Sequence, residues 1–287
     1  MEKGTIILEG GANRGLFTAG VLDYLMDQEF YFSHVIGVSM GACNAIDYVS
    51  RQPERTKKCI ITDTEETNYY YGPTEILKEK SIMNMDLIFD KLPNELLPFD
   101  YETYFKSAMK CEQVVTNCVT GKAEYLDERE DKQRLLDITR ASCSMPLVTP
   151  MAFVDGVPYL DGGLADSIPI KRAMTYGNKK IVLILTRNSG YRKKPTGKVV
   201  KGLYEGMYKR YPALVKTLIN RNAQYNRTLE KIEEWEKKGY IYVIRPEMPT
   251  ISRLEKDSSK QEAFYQHGVE QMTRQFDEVK KFLNLKK

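Results

Sequence analysis

Short apolar runs alternate with amphipathic segments at the start of the chain. Residues 5–9 form a β-branched run that ends at a glycine pair, and residues 34–39 form a second, mostly apolar run. Residues 16–28 place apolar side chains on one helical face, and residues 40–52 predict a second helix. This order of strand, glycine loop, helix, strand, tight turn and helix predicts parallel strands with helices on the faces of the sheet.

The middle of the chain predicts further strands and a covering segment. Residues 53–110 contain several prolines and predict an irregular, partly helical insertion over a site. Residues 179–186 form the clearest apolar run and predict a strand that is buried on both faces of the sheet. Three segments between them also have regular patterns, which predict two strands within 111–127, a helix at 131–142 and a strand pair within 151–163.

The composition changes after residue 186. Four segments follow in order: a basic, turn-rich boundary or exposed loop at 187–202, a long charged helix at 206–239 that Pro212 interrupts, a strand at 240–246 and a helix at 259–283. We therefore expect a three-layer α/β/α domain with a mostly parallel sheet over residues 1–190. A mainly helical C-terminal extension is expected over residues 191–287.

Composition and charge narrow the functional classes. The net charge of +4 is small for 287 residues and gives no reason to expect a nucleic-acid partner. The five cysteines are scattered and odd in number, which favours reduced thiols over disulfides or a zinc site. The chain begins without the pattern of a signal peptide, and no stretch is as apolar as a membrane span. We expect a cytoplasmic protein without a metal or cofactor, touching membranes only from outside.

Residues 37–42, GVSMGA, contain a G-x-S-x-G pattern between a predicted strand and a predicted helix. A nucleophile elbow has this place in α/β folds. Gly37 and Gly41 would let the turn bend sharply, and Ser39 would then lie at a helix N-terminus, where developing negative charge is stabilised. A serine that merely caps the helix has the same pattern, so this motif alone leaves both interpretations open.

Two other short blocks have a related ambiguity. Residues 10–15, GGANRG, are called the glycine loop here. Its backbone N–H groups could point together at a phosphate or at a tetrahedral oxyanion. The loop lacks the Walker A and dinucleotide-binding patterns, and parallel strands would bring it to the same sheet edge as Ser39. This combination favours acyl transfer over nucleotide binding. Asp161 precedes a glycine pair at a predicted strand end, which is also a common turn sequence.

Together, and in this order, the three blocks resemble the patatin-like phospholipases, a family of lipid acyl hydrolases. The family pattern is G-G-G-x-R/K-G, then G-x-S-x-G, then D-G-G/A, and residues 141–150 also resemble a block that precedes the aspartate. The resemblance covers residues 5–186, and Ala12 stands where the third glycine is usual. The matching residues are Gly10, Gly11, Asn13, Arg14 and Gly15, then Gly37, Ser39 and Gly41, then Asp161, Gly162 and Gly163.

The resemblance implies a Ser–Asp dyad in which Ser39 attacks the ester, Asp161 is the base and an acyl-enzyme forms. Asp161 would need a raised pKa, since an aspartate in water is a poor base. Arg14 would anchor the loop or meet a lipid phosphate. The implied oxyanion hole consists of the N–H groups of Gly11, Ala12 and Asn13, with that of Met40.

The two histidines of the chain fit a structural role better than a catalytic one. Ser39, Asp161 and His267 follow the Ser, Asp, His order of α/β-hydrolases, but His267 lies in a polar helix of the tail. His34 is expected at the opposite end of the strand that leads to Ser39. A Ser–Asp dyad is therefore preferred over a histidine triad.

Three functional readings follow for a lipid or acyl-ester substrate. The first is a hydrolase of lipid carboxylic esters, the second an acyltransferase with the same serine, and the third a non-catalytic lipid-binding regulator on the same fold. The basic residues of 192–210 predict a solvated face, with attraction to an anionic membrane surface as the functional alternative. No sequence feature specifies an oligomeric state.

Overall fold

A computed structural model describes residues 1–61 and 68–284 of the chain. In this described part, eight strands form one sheet in the order β5-β6-β3-β2-β1-β7-β8, with β4 also paired to β3. The strands are β1 (Glu2–Leu8), β2 (Phe32–Val38), β3 (Lys110–Asn117), β4 (Ala123–Leu126), β5 (Ala152–Val154), β6 (Val157–Asp161), β7 (Ile181–Ile184) and β8 (Tyr242–Ile244).

The centre of the sheet is parallel, and one edge is antiparallel. Strands β3, β2, β1, β7 and β8 run parallel, whereas β4 and β6 pair antiparallel with β3, and β5 pairs antiparallel with β6. Leu8 of β1 lies opposite Gly37 of β2, so the two following loops leave the same edge. This arrangement places the glycine loop beside Ser39, because carboxyl ends of neighbouring parallel strands meet at one edge.

Helices cover both faces of the sheet. Ile6 and Leu8 face a core shared with α1, α2 and α10, whereas the intervening Ile7 faces a core shared with α7 and α9. The helices are α1 (Gly15–Asp27), α2 (Met40–Val49), α3 (Arg55–Ile60), α4 (Pro73–Glu79), α5 (Tyr101–Lys106), α6 (Lys132–Cys143), α7 (Ile170–Thr175), α8 (Lys198–Met207), α9 (Pro212–Lys237) and α10 (Ser258–Phe282). The predicted α/β/α fold with a mostly parallel sheet and a helical C-terminal region is confirmed.

The C-terminal helix α10 packs tightly on α1, the helix that follows the glycine loop. A Cβ on Gly20 would lie 2.1 Å from the carbonyl oxygen of Tyr265, and a Cβ on Gly268 would lie 2.1 Å from that of Phe17. Tyr265 also donates a hydrogen bond to Asp23 at 2.8 Å. The two backbones therefore touch, and the end of the chain buttresses the helix on which the glycine loop rests.

One detail of the C-terminal prediction is wrong, and another is confirmed. Residues 198–202 were assigned to a loop but belong to α8, where Gly202 and Gly206 had obscured the helical spacing of the apolar residues. The predicted interruption of the helical stretch 206–239 at Pro212 is confirmed, since α8 ends at Met207 and α9 begins at Pro212, where the missing N–H removes no helical hydrogen bond.

The insertion is irregular and partly helical, as predicted for residues 53–110. Besides α3, α4 and α5 it contains a π-helix, Leu87–Leu96, with Pro93 inside it. Residues 62–67 lie outside the described part. None of the described helices has the length and apolar character needed to cross a membrane.

Candidate active site

Ser39 occupies the turn between β2 and α2. Its backbone φ is 56°, in the left-handed region that residues with a side chain rarely adopt. A Cβ on Gly37 would lie 2.3 Å from the carbonyl oxygen of Gly41, and a Cβ on Gly41 would lie 2.2 Å from that of Leu8. Glycine is therefore required at both positions, and the strained turn has the geometry of a nucleophile elbow.

A serine of α6 holds this turn in place. The N–H of Ser39 donates to Oγ of Ser142 at 2.9 Å, and the Ser142 hydroxyl donates to the carbonyl oxygen of Val114 on β3 at 2.7 Å. Ser142 is fully buried, so the pair of bonds ties the elbow to the neighbouring strand. The family resemblance includes residues 141–150 but assigns no role to Ser142.

Asp161 is the last residue of β6 and is buried beside the elbow. Its N–H donates to the carbonyl oxygen of Ser144 at 2.7 Å, and its Oδ1 accepts from the N–H of Gly163 at 2.7 Å. Burial raises the pKa of this carboxyl, while hydrogen bonding from the Ser39 hydroxyl and the Gly163 N–H acts in the opposite direction. The structure thus brings Ser39 and Asp161 together.

The glycine loop runs past the elbow at the end of β1. A Cβ on Gly10 would lie 2.7 Å from the Cβ of Ser39, so only glycine lets the loop approach this closely. Ala12 has a φ of 49°, a backbone conformation that glycine adopts far more readily. The N–H groups of Gly11 and Ala12 form no hydrogen bond to another described residue, and both residues line the cavity that contains Ser39.

Asn13 and Arg14 have partners that fix the loop. The Asn13 N–H donates to the carbonyl oxygen of Arg253 at 3.2 Å, and its side-chain amide donates to that of Glu255 at 2.8 Å. The buried Arg14 donates to the carbonyl oxygen of Gly11 at 3.3 Å, and burial and neighbouring cations lower its pKa to about 10. Asn13 ties the loop to the segment before α10, and Arg14 braces the loop itself.

Two cavities meet at the glycine loop, and Ala12 lines both. The nucleophile cavity, of about 190 Å³, contains Ser39 and Asp161. The apolar cavity, of about 90 Å³, lies under the insertion. Its lining includes Met40, Ile46, Ile60, Phe89 and Leu92. A polar chamber with a reactive pair and an apolar chamber therefore share one wall.

Residues of the C-terminal extension also line the nucleophile cavity. The sequence predicts a solvated face for the basic stretch 192–210 and does not single out Arg221 or Arg253, which lie among ordinary polar residues of α9 and of a loop. Five cationic side chains surround this cavity, namely Arg14, Arg187, Lys193, Arg221 and Arg253. The chain segments that carry them are far apart in sequence, so no local motif could have identified the cluster.

Neither histidine lines the nucleophile cavity. His34 is buried between Thr5 and Glu112, with ring nitrogens 3.1 Å from an oxygen of each. His267 accepts from the N–H of Glu247 at 3.0 Å and packs on Phe17, with ring centroids 5.6 Å apart. Both have structural partners.

Comparison with known proteins identifies two sequence patterns in the chain. The pattern described as patatin-like phospholipase matches residues 6–174, and one described as a domain of unknown function (DUF6363) matches residues 211–284. The chain is 30% identical over 185 residues to the uncharacterized protein YjjU of Escherichia coli (strain K12). This match covers 63% of the chain and 51% of YjjU, so the chain spans about half the length of that relative.

The chain is also similar to a solved structure, that of VipD from Legionella pneumophila. The TM-score is 0.52 at 13% sequence identity, and the match covers 97% of this chain and 67% of VipD, which supports a shared fold. The patatin-like pattern extends from β1 into α7 and includes the glycine loop, Ser39 and Asp161. The chain belongs to the patatin-like phospholipase family, a family of lipid acyl hydrolases.

Proposed function

We propose that this chain is a serine hydrolase that cleaves lipid carboxylic esters, in the manner of a phospholipase A, a lysophospholipase or an esterase. The observation that carries the proposal is the pairing of Ser39, in its strained turn, with the buried carboxyl of Asp161 in a cavity lined by the glycine loop. Ser39 is the proposed nucleophile and Asp161 the proposed base, since no histidine lines this cavity.

In the proposed reaction, Ser39 Oγ attacks the ester carbonyl carbon and its proton passes to Asp161. The carbonyl oxygen becomes an oxyanion that accepts hydrogen bonds from the N–H groups of Gly11, Ala12 and Met40. The intermediate collapses, the ester C–O bond breaks, and the alcohol leaves with the proton held by Asp161. Water then attacks the acyl-enzyme while Asp161 takes its proton, and the fatty acid leaves as Ser39 regains a proton.

Asn13 and Arg14 act differently in this scheme. The Asn13 N–H already has the Arg253 carbonyl oxygen as its acceptor, so we assign Asn13 to positioning the loop rather than to the oxyanion hole. Arg14 braces Gly11 through its carbonyl, and its guanidinium also borders the nucleophile cavity. The apolar cavity is the proposed site of the acyl chain, because it adjoins the proposed oxyanion donors at Ala12 and Met40.

Helix α8 is the proposed contact with the lipid surface. Val199, Leu203 and Met207 follow one another on one face and are exposed by 79%, 51% and 63%. Tyr204 of the same helix is buried and lines the nucleophile cavity, so the apolar face lies close to the cavity. Lys198 and the neighbouring lysines add positive charge, which suits an anionic bilayer. A cytoplasmic location remains a prediction from the sequence.

We also propose the division of the chain into a catalytic part, 1–190, and a mainly helical extension, 191–287. The extension contributes β8 to the sheet and α9 and α10 to the two cores. It also supplies three of the cations around Ser39. The two parts are therefore proposed to fold and act as one unit.

The test of this function is covalent labelling with a fluorophosphonate, whose phosphoryl oxygen imitates the tetrahedral intermediate. Peptide mass spectrometry should place the adduct on Ser39, and Ser39→Ala should abolish it. Turnover of a p-nitrophenyl ester with and without an alcohol acceptor then separates hydrolase from acyltransferase. Labelling of another residue, or no labelling of the folded protein, would contradict this function and favour a non-catalytic lipid-binding regulator.

A further inference from the structure

The five cations around the nucleophile cavity form no ion pair with a carboxylate in the described part of the chain. By contrast, Arg192, next to Lys193 in sequence, pairs with Glu233 at 2.7 Å. Arg187 instead lies over the ring of Tyr191, 4.2 Å from its centroid. Several cations gathered around a cavity without ion-pair partners indicate a site for an anion.

The deepest of these cations are enclosed and repel one another. The Nε of Arg221 is buried and has no hydrogen-bond partner in the described part of the chain. Burial lowers the pKa of Lys193 to about 7, and Arg221 and Arg253 lower it as well. The Lys193 ammonium lies over Tyr225, 3.6 Å from the ring centroid. An anion in the cavity would relieve this repulsion and provide the missing hydrogen-bond acceptors.

The carboxylates of the cavity do not neutralise the cluster. Glu9 and Asp161 are the two acidic side chains in the lining. Glu9 accepts hydrogen bonds from neutral donors, the Thr186 N–H and the Tyr225 hydroxyl, each at 2.7 Å. Asp161 is the proposed base, whose charge alternates during the reaction. Five cations thus face two carboxylates that are already engaged.

We propose that Lys193, Arg221 and Arg253 bind the phosphate of a phosphomonoester, and that the preferred substrates are acyl esters of a small phosphorylated alcohol. The inference rests on the proposed function of Ser39. Guanidinium groups present paired donors that match phosphate oxygens, and a dianion balances more of the excess charge than a carboxylate does. A zwitterionic head group would bring another cation into the cluster and is disfavoured.

The position of the site restricts the substrate further. Arg221 and Arg253 line the same cavity as Asp161, so the anion site adjoins the carboxyl that takes the serine proton and whose pKa both cations lower. Phosphate and ester must then be separated by a short spacer, as in an acylated glycerol phosphate. The three residues come from the loop before α8, from α9 and from the loop before α10, so the extension determines head-group specificity.

The experiment compares two esters with the same medium-length acyl chain, a monoacylglycerol and its phosphomonoester, both below their micelle concentration. We expect the phosphate ester to have a kcat/KM about 10- to 100-fold higher, as for one or two charge-assisted hydrogen bonds. Arg221→Met combined with Lys193→Met should bring the ratio close to one. Arg227→Met is the matched control on α9, because Arg227 is exposed and outside the cavity, and it should keep the ratio.

Arg253→Met provides a second test, whose result does not depend on whether the protein still folds with substitutions in the enclosed part of the cavity. Arg253 is exposed, and its backbone carbonyl keeps the bond to Asn13. The variant should fold normally and still lose preference for the phosphate ester. Unchanged preference in folded Arg253→Met and in the folded double variant would overturn the proposal.

Inorganic phosphate separates a head-group site from a free-phosphate site. Calorimetry with Ser39→Ala, which cannot turn over, should detect phosphate binding that Arg221→Met weakens. If phosphate binds but the two esters are cleaved equally well, the substrate proposal is wrong. If the neutral ester is cleaved and the phosphate ester is not preferred, the head-group inference fails while the hydrolase function survives. Cleavage of neither ester would reject the function itself.

Discussion

The two cavities that meet at the glycine loop differ in their chemistry and in the parts of the chain that line them. The nucleophile cavity is rich in cations and is completed by the C-terminal extension, whereas the apolar cavity is formed mainly by α2, α6 and the insertion, which includes α3. An ester with a polar head and an apolar tail fits this division with its carbonyl at the shared wall. The proposed reaction thus takes place where the two cavities meet, and the substrate is recognised by two regions that are remote in sequence.

A substitution in the glycine loop, where the two cavities meet, should lower kcat more than a substitution in the lining of either cavity. Gly10→Ala would place a methyl 2.7 Å from the Cβ of Ser39 and displace either the loop or the nucleophile. Loss of one oxyanion donor typically lowers kcat by about 10² to 10³, and we expect a loss of that size with p-nitrophenyl butyrate. Gly202→Ala is the control, since a Cβ there meets nothing within 4 Å. Near-normal turnover of folded Gly10→Ala would mean that the loop has another purpose.

A smaller effect should distinguish the apolar cavity from the nucleophile cavity. Cys59→Phe adds a ring to the apolar lining and should displace two or three methylenes of a long acyl chain. At about 0.8 kcal/mol per methylene this lowers kcat/KM for a dodecanoyl ester about 30-fold. The butanoyl ester, which should not reach the ring, is the internal control. Equal losses for both esters would contradict the assignment of this cavity to the acyl chain.

The pH dependence of hydrolysis should show whether the cations of the nucleophile cavity act on Asp161. Asp161 must be ionised to act as base, so kcat/KM should fall as the pH drops through its pKa, which burial raises. Arg221 lowers that pKa, and removing its charge in Arg221→Met should move the acid limb to higher pH. The measurement uses a neutral p-nitrophenyl ester, with Arg227→Met as control. An acid limb that stays in place or moves to lower pH would show that the charge of Arg221 does not lower the pKa of Asp161.

The smallest predicted effect concerns stability. Ala12 has a φ of 49°, which is strained for alanine, so Ala12→Gly should stabilise the fold by about 1 kcal/mol and raise Tm by roughly 2 °C. Differential scanning calorimetry can measure the change. A lower Tm would show that the Ala12 methyl, which borders both cavities, contributes packing that outweighs the backbone strain.

The motif residues could be found in the sequence because their geometry is local. At the sharp turn between a strand and a helix, neighbouring atoms leave no space for a Cβ at Gly37 or Gly41, and the same holds for Gly10. The spacing of these glycines in the sequence therefore indicates where the backbone turns. Parallel strands then bring the two loops to one edge. The fold class followed from the alternation of strands and helices for the same reason.

The cationic cluster could not be found in this way. Arg221 and Arg253 reach the cavity only after α9 and the loop before α10 have packed on the sheet, and neither residue stands in a distinctive local pattern. The acceptor for the Asn13 N–H is likewise a carbonyl 240 residues away in the chain, at Arg253. Long-range packing, which sequence periodicity does not encode, decided these contacts.

The most direct test of the Ser39–Asp161 dyad compares Asp161→Asn, Ser39→Ala and their combination in hydrolysis of a neutral ester, after folding is checked by circular dichroism. Asp161→Asn keeps the shape of the side chain but cannot take the serine proton, so each single variant should lose nearly all activity and the double variant little more. His34→Ala and His267→Ala should stay within about tenfold of the parent. If folded His267→Ala lost as much activity as Ser39→Ala, or if Asp161→Asn remained active, the Ser–Asp pair would not be the catalytic machinery.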